Sequence, residues 1–180
     1  ILLGLVGSEM CIRDRVMIKS ILSNKKDFDI NKLYRKSDRH KGITLLFKAC
    51  QEGNEEVVRL LLDHSAIDAN QSRTVDGVTP LFIACLKGHE EVVRLLLDHM
   101  AIDVNQARPD FGVTPLFIAC LECHEGVVRL LLDHEATNVN QATTDDGSTP
   151  LFMACYNDYE EMVGLLLSNC LLYTSDAADD

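Results

Sequence analysis

The sequence is poor in positive charge, with 17 Lys and Arg against 28 Asp and Glu in 180 residues and a net charge of −11. Because nucleic acids and anionic membranes attract basic proteins, this balance argues against both as partners. The sequence also lacks any apolar run close to the roughly 18–20 residues of a membrane-spanning helix. Seven cysteines are too few for a disulfide framework in a chain of this length, so we expect an intracellular, cytoplasmic protein.

Three sequence motifs recur with a period of 35 residues. The first reads "TLLFKAC" from Thr44, "TPLFIAC" from Thr79 and Thr114, and "TPLFMAC" from Thr149. The second reads "EEVVRLLLDH" from Glu55 and Glu90, "EGVVRLLLDH" from Glu125 and "EEMVGLLLSN" from Glu160. The third reads "IDANQ", "IDVNQ" and "TNVNQ" and ends at Gln71, Gln106 and Gln141. Three motifs that keep one register indicate a repeat architecture.

Each unit is predicted to form two helices joined by a turn. Thr79 suits an N-cap and Pro80 the first helical position, where a missing N–H costs nothing. Gly88 breaks this short helix, and Glu90 and the acid that follows it favour the positive end of a second helix. That second helix is apolar almost all round, so we expect it to be packed between neighbouring helices.

The unit resembles that of the ankyrin repeat family, a turn plus two helices with a T-P-L-H-x-A motif. The resemblance covers roughly Val16 to Asn169 and implies an all-α helix–turn–helix repeat solenoid of period 35 with turn or hairpin connections. Phe replaces the family's motif histidine in every copy, at Phe47, Phe82, Phe117 and Phe152. We therefore expect an apolar column in this stack where the family has a polar one.

The motifs divide the repeat region into five segments. Residues 16–43 form a partial unit, a second helix followed by a long basic connection. Units 44–78, 79–113 and 114–148 are complete, and unit 149–169 is truncated. Since a solenoid needs terminal repeats with a polar outer face, the sequence predicts further repeats beyond both of these limits.

The two ends of the chain match no repeat. "MCIRD" can be encoded by ATG TGT ATA AGA GAC, and the reverse complement of that stretch, continued by AG, contains TGT CTC TTA TAC ACA, which encodes the "CLLYT" near the other end. Such an inverted repeat resembles the transposon-end adapter used in preparing sequencing libraries. Residues 1–15 and 170–180 are accordingly expected to be adapter-derived and to carry no function.

Cysteine and histidine also recur once per unit, which raises the question of a metal or redox array. Helices pack about 8–10 Å apart, too far for a disulfide or for one zinc ion shared between units. Buried small core residues are therefore favoured for the cysteines, and a column at the helix ends is favoured for the histidines. The pattern "CLEC" at Cys120–Cys123 is a lone C-x-x-C motif, and Cys123 replaces the turn glycines of the first two units.

The sequence predicts no enzyme, because no nucleophile–base pair, phosphate loop or carboxylate pair stands apart from the repeat. It likewise predicts no metal, cofactor or small-molecule substrate. The resemblance implies a concave binding face lined by the first helices and the turn tips. The first-helix positions that vary there are Lys48, Gln51, Glu52, Ile83, Leu86, Lys87, Ile118, Leu121, Glu122, Met153, Tyr156 and Asn157, all expected on the solvent side. The turn-tip positions are Arg73, Arg108, Asp110, Phe111 and Asp145.

Apolar side chains ringed by acids at these positions favour a basic or amphipathic protein partner. The predicted function is a non-enzymatic scaffold or adaptor that binds this partner on the concave face. The alternative is a regulatory segment of a larger enzyme or channel whose other domains lie outside this sequence.

Overall fold

The computed structural model describes residues 29–32, 34–35 and 41–175, and this part of the chain contains eight α-helices in four consecutive pairs. The first two pairs are α1 (Leu45–Gln51) with α2 (Glu55–Leu62) and α3 (Pro80–Lys87) with α4 (Glu90–Leu97). The last two are α5 (Pro115–Leu121) with α6 (Glu125–Leu132) and α7 (Pro150–Tyr156) with α8 (Glu160–Ser175). Each pair coincides with one predicted unit, so the helical repeat architecture is confirmed.

The segment before α1 holds a short antiparallel ladder of β1 (Tyr34–Arg35) and β2 (Lys41–Ile43). This ladder belongs to the long connection predicted from its basic composition. The helix predicted at the start of the partial unit and the adapter-like residues 1–15 lie outside the described residues. At the other end α8 runs to Ser175, six residues past the expected limit of the unit, and residues 176–180 are not described.

The first helices begin and end where capping chemistry predicts. The N–H groups of Phe47, Phe82, Phe117 and Phe152 each donate to the hydroxyl of the threonine three residues earlier, over 3.0, 3.0, 3.1 and 3.2 Å. Proline occupies the first helical position of α3, α5 and α7. Gly88 ends α3 in the left-handed conformation, with φ of 68°. Such caps satisfy helix-end groups that burial would otherwise leave without partners.

The helices form two layers. First helices contact first helices along the series α1, α3, α5 and α7, and second helices do the same along α2, α4, α6 and α8. One continuous core fills the space between them, with Val57, Val92 and Val127 in equivalent buried positions. The predicted apolar column is confirmed for Phe47, Phe82 and Phe117, which are 1%, 2% and 6% exposed. Phe152 departs from it and is 54% exposed.

Asparagine side chains join neighbouring units beyond the second helices. The Asn70 amide donates to the carbonyl of Ala101 over 2.6 Å, and its oxygen accepts the N–H of Asp103 over 2.8 Å. Asn105 repeats both bonds one unit later, with Ala136 and Asn138, and Asn31 makes them one unit earlier, with Ala66 and Asp68. Each such asparagine satisfies two backbone groups of the next unit, so it fixes the register between units.

Candidate functional site

The predicted binding positions of the first helices fall into three columns with different exposure. In the first column Ile83 and Ile118 are only 5% and 8% exposed. The expectation that they face solvent is therefore wrong. Every interior first helix has a first helix on both sides, and these neighbours cover its flank at this phase. Lys48 and Met153, at the two ends of the column, are half-buried.

The second and third columns lie nearer to solvent. Gln51, Leu86 and Leu121 are half-buried, and Tyr156 is 74% exposed. The third column places Glu52, Lys87 and Glu122 in solvent and leaves Asn157 half-buried. These side chains form the outer face of the first-helix layer.

Polarity changes along this outer face. At the first unit the Lys48 ammonium donates to the Gln51 amide oxygen over 3.2 Å and forms an ion pair with Glu52, so polar groups already paired with one another cover the face. At the second and third units Leu86 and Leu121 take the place of Gln51 and contact the core from above. An apolar strip thus begins at the second unit and ends at the exposed Tyr156 ring.

The turn tips carry two of the predicted contact residues, Arg73 and Arg108, and both have partners within the stack. Arg73 forms an ion pair with Asp76, and Arg108 forms one with Asp110. The Arg73 guanidinium also lies over the Phe47 ring, 5.2 Å from its centroid, and Arg108 lies 6.0 Å from that of Phe82. A cation over an aromatic face is attracted by the ring's quadrupole. The tip arginines therefore brace the connections against the Phe column.

This coupling of arginine to the Phe column is the feature that sequence reasoning missed. Its signal was present, because arginine occurs in the two connections that follow Phe47 and Phe82, whereas the third connection has Thr143. There the Thr143 hydroxyl donates to the Asp146 carboxylate over 2.7 Å and accepts the N–H of Ser148 over 2.9 Å. At this tip the hydrogen bonds of the Thr143 hydroxyl take the place of the ion pair.

These partners lower the pKa of two carboxylates at the tips, Asp76 and Asp146. Burial raises the pKa of Asp76, but the hydrogen bond and charge of Arg73 outweigh it, and the pKa lies below its ordinary value. The hydroxyl of Thr143 and then the N–H of Ser148 lower the pKa of Asp146 to about 2. Both carboxylates are ionised at neutral pH and hold their turns together.

Apolar side chains stand in solvent at the same tips. Val75 is 67% exposed and Phe111 47% exposed, and Asp110 and Asp145 beside them are exposed as well. The Phe111 carbonyl accepts the N–H of Thr144 over 2.9 Å, so neighbouring tips support each other through their backbones. The tips thus present apolar groups on a fixed framework with acids around them.

The repeated cysteines and histidines have structural surroundings. Cys50, Cys85 and Cys120 are buried, burial raises the pKa of all three thiols, and Cys120 reaches about 12 with a further contribution from the charge of Cys123. Histidines 99 and 134 line two solvent-open grooves of about 240 and 230 Å³ between successive second helices, each with one arginine and two aspartates. Among the described residues, no group of three or more His, Cys, Asp or Glu is placed to hold a metal ion.

Comparison with known families accounts for this architecture. A family model described as "Ankyrin repeats (3 copies)" matches residues 10–108 and 102–176. No curated protein matches the chain. In the described part of the chain, no helix combines the length and hydropathy needed to cross a membrane. Repeats of this kind are generally protein-interaction modules. The matched ranges take in most of the sequence, and the chain belongs to the ankyrin repeat family.

Proposed function

We propose that this chain is a non-enzymatic protein-interaction module that holds its partner on the outer face of the first-helix layer and on the turn tips, the concave side of the family's stack. Exposed apolar groups at positions that differ between units carry this proposal, namely Tyr156, Val75 and Phe111. Residues required for packing keep their identity from unit to unit, whereas these side chains protrude and vary. Large apolar and aromatic groups of this kind supply most of the binding energy in protein interfaces.

Charge indicates the chemistry of the partner. Residues 44–169 hold 7 Lys and Arg against 20 Asp and Glu, a net charge of −13. Several of the basic residues are already neutralised by ion pairs, among them Lys48, Arg73 and Arg108. A basic or amphipathic protein segment would therefore be attracted over long range and would present apolar groups to the strip between Leu86 and Tyr156.

The buried isoleucines narrow the contact surface. Ile83 and Ile118 support the strip from below, and we assign them no direct contact with the partner. The contacting set consists of the second and third columns with the tips. Lys48 and Met153 contribute at its edges, where they are half-buried.

A matched pair of variants tests the assignment. The binding-face variant combines Val75→Ser, Phe111→Ser and Glu122→Lys, which change exposed side chains only. The control variant combines Met100→Ser and Asp133→Lys, exposed residues that follow the second helices α4 and α6. Proteins captured by the native chain are identified, and their dissociation constants are measured against both variants.

We expect at least tenfold weaker binding of a captured partner to the binding-face variant and native affinity for the control, with both variants melting close to the native temperature. Equal affinity in the two variants would contradict the proposed face. Selective loss in the control variant would place the site on the second-helix layer instead.

A further inference from the structure

Two solvent-open grooves on the second-helix layer repeat one set of side chains: an arginine, two leucines, two aspartates and a histidine. The first groove lies between α2 and α4 and is lined by Arg59, Leu62, Asp63, Leu95, Asp98 and His99. The second lies between α4 and α6 and is lined by Arg94, Leu97, Asp98, Leu130, Asp133 and His134. Because Asp98 lines both, the two grooves form one continuous row.

The arginines of the grooves have partners, whereas the aspartates do not. The Glu91 carboxylate lies between two arginines, 3.8 Å from the guanidinium of Arg59 and 3.2 Å from that of Arg94. In the part of the chain that the structure describes, no residue forms an ion pair or a side-chain hydrogen bond with the groove aspartates, Asp63, Asp98 and Asp133. The charge that each groove offers to a ligand is therefore negative.

The position of the aspartates adds to this negative potential. Each of the three is the C-cap residue of a second helix. A helix C-terminus carries partial negative charge and is stabilised by cations, so a carboxylate there is unfavourable. In α8 the positions equivalent to the aspartate and the histidine hold Ser168 and Asn169, so a second helix forms without them. Helix capping does not account for the aspartates, and a bound cation would offset their charge.

The remaining walls of the grooves suit an arginine side chain. The leucines are half-buried and present apolar surface along which methylene groups can lie. The Nδ1 atoms of His99 and His134 are buried without a hydrogen-bond partner among the described residues, which leaves Nε2 as the ring nitrogen that a ligand can reach. A planar guanidinium can stack on such a ring and donate several hydrogen bonds to carboxylates, which a lysine ammonium does less well.

The spacing of the grooves indicates the conformation of the ligand. Neighbouring helices pack about 8–10 Å apart, so equivalent points of the two grooves are separated by about that distance. A polyproline II segment has three residues per turn and rises about 3.1 Å per residue, so side chains three positions apart point the same way about 9 Å apart. In a β-strand, side chains three positions apart point to opposite faces. The polyproline II conformation therefore matches the row.

We propose that the two grooves bind an extended segment of a partner protein in the polyproline II conformation, with two arginines three positions apart and one arginine in each groove. The net charge of −13 on residues 44–169 attracts such a segment over long range. This site is separate from the outer face of the first-helix layer, because second helices and the residues that follow them supply all of its lining.

The test measures binding of a fluorescein-labelled peptide, PPRPPRPP, to the full chain by fluorescence anisotropy. A comparison peptide of the same composition, PPRPRPPP, places its arginines two positions apart. Asp98→Asn removes the carboxylate that the grooves share, and Asp63→Asn and Asp133→Asn each alter one groove. Glu90→Gln is the matched control, since it removes the same charge from an exposed residue at the other end of α4.

We expect Asp98→Asn to weaken binding of PPRPPRPP about tenfold, and Asp63→Asn or Asp133→Asn about threefold, because exposed ion pairs contribute modestly and Asp98 serves both grooves. Glu90→Gln should change the dissociation constant by no more than about twofold, since long-range attraction alone is affected. PPRPRPPP should bind the native chain about fivefold more weakly, because only one of its arginines can enter a groove. Circular dichroism and thermal melts check that every variant is folded.

Several results would overturn the proposal. Equal weakening by Glu90→Gln and Asp98→Asn would show that net charge holds the peptide, and absence of saturable binding to the native chain would remove the site. Equal affinity for the two peptides would exclude simultaneous occupation of both grooves. Tighter binding of a helical peptide with arginines seven positions apart would assign the grooves to a helix.

The outcome is independent of the outer-face test. Val75→Ser and Phe111→Ser should leave the affinity for PPRPPRPP unchanged, and a loss in these variants would contradict the separation of the two sites. In the outer-face test, a partner held by the grooves is distinguished by selective loss of affinity for the variant that carries Asp133→Lys.

Discussion

The third and fourth units are nearly identical in their first helices, "TPLFIAC" and "TPLFMAC", yet the third lies between two described units and the fourth is the last one described. Both begin with a threonine cap and a proline, and the capping bonds are 3.1 and 3.2 Å long. The exposure of their phenylalanines differs nonetheless, at 6% for Phe117 and 54% for Phe152. Local sequence determines where the helix starts, whereas the neighbouring unit determines which side chains are buried.

The largest effect should come from truncating the two phenylalanines. Phe117→Ala is expected to lower the free energy of unfolding by about 3–5 kcal/mol, through lost burial and the cavity that remains. Phe152→Ala should cost about 1 kcal/mol or less, because much of this ring is already in water and little cavity forms. Urea denaturation of both variants measures the difference, and equal losses would show that the Phe152 ring is as well covered in solution as the Phe117 ring.

A smaller effect separates contacts that cross between units from contacts within one unit. Asn105→Ala removes two inter-unit hydrogen bonds and should cost about 1–2 kcal/mol, since water can reach these partly exposed groups. Asn105→Asp keeps the acceptor for Asn138 but sets a carboxylate against the Ala136 carbonyl, and we expect it to be no better. In the same denaturation assay Thr149→Ala, which removes a cap within the terminal unit, should cost about 1 kcal/mol. An unchanged free energy of unfolding in Asn105→Ala would show that these inter-unit hydrogen bonds are not needed for stability.

The turn after the first helix gives a third contrast, with an effect of opposite sign. Cys123 and Asp158 both adopt a φ of 57°, where earlier units have Gly53 and Gly88. Cys123→Gly should raise stability by about 0.5–1 kcal/mol, because glycine has no Cβ to clash in this conformation. The gain for Asp158→Gly should be smaller, since Asp tolerates the left-handed region better. Thermal melts check both, and a loss at Cys123→Gly would mean that its side chain makes a necessary contact.

The reverse change at an earlier turn sharpens this test. Gly88 has a φ of 68°, and an added Cβ would lie 2.7 Å from the His124 ring of the next unit. That ring also has its Nε2 3.2 Å from the Leu86 carbonyl oxygen. Gly88→Ala should therefore destabilise the stack, and the same thermal melts measure this loss. The fourth unit has Tyr159 at the position that His124 occupies in the third.

The smallest effect concerns acid sensitivity at the third tip. The pKa of Asp146 is lowered to about 2 from 3.8, so its ionised form is favoured in the folded chain. The resulting stability is present above about pH 4 and disappears as the pH falls towards 2. Asp146→Asn and Thr143→Val should both flatten the fall of the melting temperature over this range, relative to Asp133→Asn. An unchanged dependence of the melting temperature on pH in both variants would contradict this role of the Thr143–Asp146 hydrogen bond.

Much of this fold could be predicted because the repeat supplies its own controls. The threonine caps, the proline starts and the burial of Cys85 follow from short-range chemistry that recurs in every copy. The burial of Ile83 could not be predicted, because the flank of a helix is covered by a partner whose crossing geometry is not written in the helix itself. The bracing of Phe82 by Arg108 joins two segments 26 positions apart, so the arginines of the first two connections indicate it only once the fold is known.

The exposure of the candidate binding positions was predicted less well than the fold. The variable positions correctly pointed to the exposed Tyr156 ring and to the acids at the tips. They also included Arg73 and Arg108, whose ion pairs with Asp76 and Asp110 lie within the stack. Variation between copies does not reveal such internal contacts, which only the folded structure shows.

The asparagines that join neighbouring units, Asn31, Asn70 and Asn105, also affect how such a chain can change in length over evolution. Each of these asparagines joins the segment after one second helix to the segment after the next second helix. Whole units can therefore be gained or lost while the remaining asparagine bonds are preserved. The four additional residues of the first connection lie between Asn31 and Thr44, and Asn31 keeps its bonds to Ala66 and Asp68. Insertions should therefore accumulate at the turn tips, where they enlarge the contact surface and leave the asparagine bonds between units intact.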